Sequence, residues 1–160
     1  MTTERRTLLL VEDNEDDVFI FRRMFMRAGL RDEVQLVSDG QEALDYLAGT
    51  GGFTDRERFP IPYLVMLDLK LPRRSGLEVL EWMQQVPHLA QLPVIVLTSS
   101  AEMRDIQRTR ELGARHYLVK PPTPELLADI VEAHRSGFGA VAATDGARPA
   151  GDKYAEALAG

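Results

Sequence analysis

Apolar residues along this chain fall into two rhythms that alternate five times. Short unbroken runs occupy residues 7–11 (TLLLV), 63–67 (YLVML), 94–97 (VIVL) and 116–119 (HYLV), each bounded by polar or proline residues. Runs of this length and aliphatic character suit strands buried on both faces. A further run, 33–38 (EVQLVS), alternates, which predicts a strand nearer a sheet edge. Between the runs the spacing turns helical. Residues 16–28 carry Val18, Phe21, Phe25 and Ala28 on one face, and 41–47 carry Ala43, Leu44 and Leu47. Residues 77–86 carry Leu77, Leu80 and Met83, and 102–112 carry Ile106 and Leu112 among charges. The last, 124–135, carries Leu127, Ile130, Val131 and His134, with Pro124 where no amide hydrogen is needed. Gly29, Gly113 and Gly137 stand where helices should stop.

The order is βαβαβαβαβα. Strands joined this way form a parallel sheet with right-handed crossovers and helices on both faces. The fold class is therefore α/β: a doubly wound, five-stranded parallel sheet of flavodoxin-like type, with strand order 2-1-3-4-5. Two segments break the rhythm. Residues 49–62 are rich in Gly and charge and read as a surface loop. Residues 139–160 contain 12 Ala or Gly in 22 positions. Two readings stay open there: a flexible tail, or a short helix at 153–158 capped by Asp152. The expected division is a domain at 6–138 and an Ala/Gly-rich tail at 139–160.

Composition narrows the function. The 160 residues are 44% hydrophobic and 28% charged, with a net charge of -6 and no cysteine. The acidic balance argues against nucleic acid as the main partner. The missing thiols exclude disulfides and zinc-thiolate sites. No apolar run approaches the roughly 20 residues that span a bilayer, so no membrane is expected and a cytoplasmic location is.

The polar residues just after each run carry the chemistry. Glu12 and Asp13 follow the first, Asp68 the third, Thr98, Ser99 and Ser100 the fourth, and Lys120-Pro121 the fifth. In an open α/β sheet the binding crevice lies at the carboxyl ends of the strands, where the strand order reverses. Order 2-1-3-4-5 makes strands one and three neighbours, so Glu12, Asp13 and Asp68 converge and Lys120 reaches in from the side. Two like charges about 4 Å apart repel by roughly 4 kcal/mol at an effective dielectric near 20. Three carboxylates against one ammonium leave a deficit that one divalent cation neutralises. Carboxylate oxygens without His or Cys favour Mg2+ over zinc. Asp16 and Asp17 read as residues that suit the start of the first helix.

These residues, Leu9-Leu-Val-Glu-Asp13, Met66-Leu-Asp68-Leu-Lys-Leu-Pro72, Gly76, Leu97-Thr98-Ser99 and Val119-Lys120-Pro121, resemble the receiver domains of two-component response regulators. The resemblance covers about residues 6–138. It implies that Asp68 is phosphorylated by a sensor histidine kinase and that Glu12 and Asp13 hold Mg2+ with Asp68 and the carbonyl of Lys70. It implies that Thr98 and Lys120 contact the phosphoryl group and that Tyr117, three residues before the lysine, is a rotamer switch. Lys70 and Ser100 take the positions that tune the phosphoryl lifetime. The long loop before the third strand and the lack of an appended output domain are similar to stand-alone regulators paired with phytochrome-type kinases.

The rival classes fit less well. An aspartyl phosphatase usually carries a second Asp two residues after the nucleophile, where this chain has Lys70. A flavin carrier needs a phosphate loop that Glu12-Asp13 would repel. A receiver-like protein that takes no phosphate has no need of the full acidic set. Two surface expectations complete the picture. Phe19 and Met26 share one face of the first helix with Arg22 and Arg23, which points to kinase docking. The stripe Leu127, Ile130, Val131, His134 and Phe138 has length for both core and interface, so a homodimer through helix four, strand five and helix five is expected. His88, His116 and His134 lack metal spacing, and Trp82 and the methionines read as packing.

Overall fold

The computed structural model describes residues 6–137. Strands β1 (Thr7–Val11), β2 (Glu33–Val37), β3 (Leu64–Leu67), β4 (Val94–Thr98) and β5 (His116–Val119) alternate with helices α1 (Glu15–Arg27), α2 (Gly40–Ala48), α3 (Gly76–Gln85), α4 (Met103–Glu111) and α5 (Pro124–Gly137). All four strand pairings are parallel, in the order β2-β1-β3-β4-β5. This is the expected flavodoxin-like sheet. The alternating strand β2 does lie at an edge, where Leu36 is left partly exposed.

Strand residues alternate between two cores, because successive side chains point to opposite faces. Leu9, Val11, Val65, Leu67, Val94, Val96 and Tyr117 pack with α2 and α3 on one face. Leu8, Leu10, Leu64, Met66, Ile95, Leu97 and Leu118 pack on the other with Phe21 and Phe25 of α1 and Leu127, Ile130 and Val131 of α5. Side chains start four of the helices: Asn14, Asp39, Ser75 and Thr123 each accept a hydrogen bond from the amide three residues on. No helix among the described residues is long and apolar enough to cross a membrane.

Two expectations need correcting. Segment 49–62 does run over the surface, but its aromatic residues join the core. Phe53 and Phe59 pack on the buried Tyr46, with ring centroids 5.0–6.0 Å apart. Arg56 donates to the carbonyls of Tyr46, Leu47 and Phe59 at 2.8–3.2 Å, closing the C-terminal end of α2. Average composition hid two phenylalanines and one well-placed guanidinium. The second correction concerns α5. Leu127, Ile130 and Val131 have no exposed surface. These three belong to the fold's own core and have nothing left to offer a partner, while His134 of the same stripe is half-buried. Phe138, the tail 139–160 and the boundary between them lie outside the described residues.

Backbone contacts set the loop after β3. Gly76 N donates to Leu69 O at 2.9 Å, and a Cβ on Gly76 would lie 2.2 Å from the carbonyl oxygen of Asp68. Only glycine fits this approach. A second crossing lies beside it, where a Cβ on Gly40 would lie 2.0 Å from Arg74 O.

Candidate functional site

Register brings the strand ends together. Val11 pairs with Leu67, so Glu12 and Asp68 leave neighbouring strands at the same level. Thr98 pairs with Val119, and Lys120 N donates to Thr98 O at 2.8 Å, so Lys120 leaves β5 beside the end of β4. Glu12 and Asp68 are buried while Asp13 is exposed. Ligand oxygens of these three carboxylates lie within 4.8 Å of one another. Three hard oxygen donors, one open to solvent, fit a single divalent cation of the magnesium type.

Lys120 ties the cluster together. Its Nζ lies 2.9 Å from Asp68 Oδ2 and contacts Glu12 Oε1. Asp68 Oδ1 accepts from Leu69 N at 2.7 Å, and Glu12 Oε2 accepts from Asn14 N at 3.2 Å. Burial pushes the Glu12 carboxyl up to about 7; the bond from Lys120 opposes the rise and the neighbouring Asp68 adds to it. For Lys120, burial alone favours the neutral amine. Hydrogen bonds to Glu12, Asp17 and Asp68 outweigh it and hold the ammonium above its usual range.

Asp17 is the residue that sequence reasoning missed. Its Oδ2 lies 2.9 Å from Lys120 Nζ. The signal was available, because Asp17 stands four and eight residues before Phe21 and Phe25. Those two are the buried residues of α1, so Asp17 caps the buried stripe at the end where the strand termini lie. Reading it only as a helix-start residue overlooked that face. A cavity of about 260 Å3 opens beside it, lined by Glu12, Asp17, Ile20, Ser99, Lys120 and Pro121 among others.

The remaining candidates fall into two groups. Thr98 is fully buried at the end of β4. Tyr117 is buried on the α3 side of the sheet, and its hydroxyl donates to the carbonyl of Ser100. The Ser100 hydroxyl donates to Asp105 at 2.9 Å, so it is engaged at the start of α4. Lys70 is exposed and makes no ion pair among the described residues. Phe19 and Met26 stand 64% and 77% exposed on α1, away from the cluster.

Comparison with known proteins gives the following. The family described as Response regulator receiver domain matches residues 8–132. Response regulator Rcp1 of Synechocystis sp. is 35% identical over 115 residues, which are 72% of this chain and 76% of that protein. The Mn(2+)-bound form of a response regulator Rcp1 superposes with a TM-score of 0.67 at 32% identity, over 83% of this chain and 94% of that one. The bacteriophytochrome response regulator AtBRR gives a TM-score of 0.71 at 40% identity, over 81% and 92% of the two chains. The phosphorylated cyanobacterial phytochrome response regulator RcpA gives 0.69 at 31% identity, over 86% and 96%.

Proposed function

The chain belongs to the response regulator receiver domain family, and from that premise we propose that Asp68 accepts a phosphoryl group from a sensor histidine kinase. Receiver domains are phosphorylated by histidine kinases and bind Mg2+ or Mn2+ at an acidic pocket. The observation that carries the reading is the meeting of Glu12, Asp13 and Asp68 from two strand ends with Lys120 from a third. In the transfer, an Asp68 carboxylate oxygen bonds to phosphorus as the bond from phosphorus to the kinase's imidazole nitrogen breaks, and the nitrogen keeps the electron pair. Mg2+ at Glu12, Asp13, Asp68 and the Lys70 carbonyl would offset charge on the phosphoryl oxygens. Lys120 donates to one of those oxygens, and the Thr98 hydroxyl lies one strand over to donate to another. Acetyl phosphate should add one phosphoryl group to the protein, seen by intact-mass spectrometry, and a chelator should prevent it. Labelling that survives full metal removal counts against the site.

Names of the relatives support a phytochrome-type kinase as the donor. Such a kinase would work in the cytoplasm and dock on α1. Phe19→Ser combined with Met26→Ser should slow transfer from the kinase by about tenfold. Acetyl phosphate labelling should be unchanged. Equal loss in both assays would indicate a damaged fold and remove the docking role.

The output in this reading is a changed surface around α4, β5 and α5, which a second copy of the chain or another partner recognises. Thr98 turns toward the phosphoryl group and the Tyr117 ring follows, breaking its bond to Ser100. Lys70 and Ser100 supply no acid or amide to orient a water behind phosphorus, which favours a long-lived phosphoryl group. Resonances of residues 98–120 should shift when trifluoroberyllate, a phosphoryl mimic, is added. Sedimentation at tens of micromolar, with and without the mimic, reads the homodimer. Unchanged spectra dispose of the switch, and a monomer in both states disposes of the dimer.

A further inference from the structure

Asp17 is the third acceptor of Lys120 and has no part in the transfer described above. Lys120 Nζ lies 2.9 Å from Asp17 Oδ2 and 2.9 Å from Asp68 Oδ2, and also contacts Glu12. An ammonium has three N–H donors and no acceptor, so three carboxylates occupy it fully. Glu12 and Asp68 belong to the trio whose oxygens suit a cation, and Asp17 does not. A cation held at Glu12 would compete with Lys120 for that carboxylate and weaken its hold on the ammonium. Asp68 becomes the reacting group. Asp17 is then the acceptor whose bond to Lys120 is untouched by either event.

Asp17 is also well fixed. It sits in the first turn of α1, and its amide donates to Asn14 Oδ1 at 3.0 Å. Burial of Phe21 and Phe25 anchors the same helix face one and two turns further on. Lys120, by contrast, carries its charge on a flexible four-carbon stem, which loses rotamer freedom when it is held. We propose that Asp17 is a positioning residue for Lys120: it holds the ammonium against Asp68, facing the incoming phosphoryl group, when Glu12 is drawn to the cation. The inference rests on the reading of Asp68 as phospho-acceptor.

A simple charge effect and a positioning effect have opposite signs, so they separate cleanly. Trifluoroberyllate is an anionic phosphoryl mimic, and its binding at saturating Mg2+ is read by fluorine NMR. If Asp17 were only a nearby negative charge, Asp17→Asn would relieve repulsion and tighten binding, whether or not Lys120 is present. If Asp17 positions Lys120, Asp17→Asn weakens binding by about tenfold, the scale of one charge-assisted hydrogen bond. The same substitution in a Lys120→Met background then no longer weakens binding, since the group it positions is gone. The fluorine resonance nearest Lys120 should also shift in Asp17→Asn alone. Tighter or unchanged binding in Asp17→Asn, or an equal loss in the Lys120→Met background, overturns the positioning role. A wild-type protein that neither takes up phosphoryl groups nor binds the mimic overturns the Asp68 reading itself, and this inference with it.

Discussion

Asp68→Asn should take up no phosphoryl group from acetyl phosphate or from a phosphohistidine kinase, under conditions where the wild type is labelled. The substitution keeps the size and planarity of the side chain. Its carbonyl oxygen can still accept from Leu69 N, which lies 2.7 Å from Oδ1. The fold should therefore survive. What is lost is the negative charge that makes the oxygen a nucleophile, and with it one of the three carboxylates set to hold a cation. Both losses act on the same step, so the expected fall is at least about a hundredfold. Intact-mass spectrometry over a time course measures it. Label at the wild-type rate in Asp68→Asn would place the acceptor elsewhere. Thermal unfolding of the same samples guards against a trivial explanation. Removing one of two neighbouring buried carboxylates relieves repulsion, so the metal-free variant should melt no lower than wild type.

Gly76→Ala should cost about 1–3 kcal/mol of stability, the usual range for overpacking, and toward its upper end because the backbone it meets cannot give way. The new methyl carbon would stand 2.2 Å from the Asp68 carbonyl oxygen and 2.8 Å from Leu69 Cα. Neither neighbour is the end of a flexible side chain. The loop must move, and it moves the acceptor with it, so the variant should also lose phosphorylation rate. Gly52→Ala is the matched control, since a Cβ there meets nothing within 4 Å; it should change stability by less than about 0.5 kcal/mol. Urea unfolding in metal-free buffer compares the three proteins. If Gly76→Ala matches Gly52→Ala, the close approach at Gly76 imposes no constraint.

The strands were legible because buried parallel strands are written as unbroken aliphatic runs, and no helix among the described residues imitates them. Site positions were legible for a related reason. Each polar residue that ends a run must lie at the same edge of a parallel sheet, so Glu12, Asp68, Thr98 and Lys120 follow from topology alone. Asp17 was not legible in that way because it starts a helix rather than ending a strand. Its reach toward Lys120 depends on the rotation of α1, which Phe21 and Phe25 set. The packing of Phe53 and Phe59 under the long loop was hidden by the glycines and charges around them. In α5 the periodicity gave the apolar stripe correctly but not its depth. Whether Leu127, Ile130 and Val131 face a core or a partner depends on how much sheet lies beneath them. The hydroxyl of Ser100 was out of reach for another reason, since its bond to Asp105 depends on where α4 begins.

The division of the sheet into two packed faces has a consequence for traffic through the molecule. Helix α1, with Phe19 and Met26 on its outer side, lies over one face, while Tyr117 and the inner side of α4 belong to the other. A protein seated on α1 therefore leaves the Tyr117 side uncovered. Helix α5 shares the α1 face and is also part of the proposed output surface, so a donor on α1 and a reader on α4, β5 and α5 would meet at α5 but not at Tyr117. In that reading, crowding at α5 would set how far loading and reading must take turns.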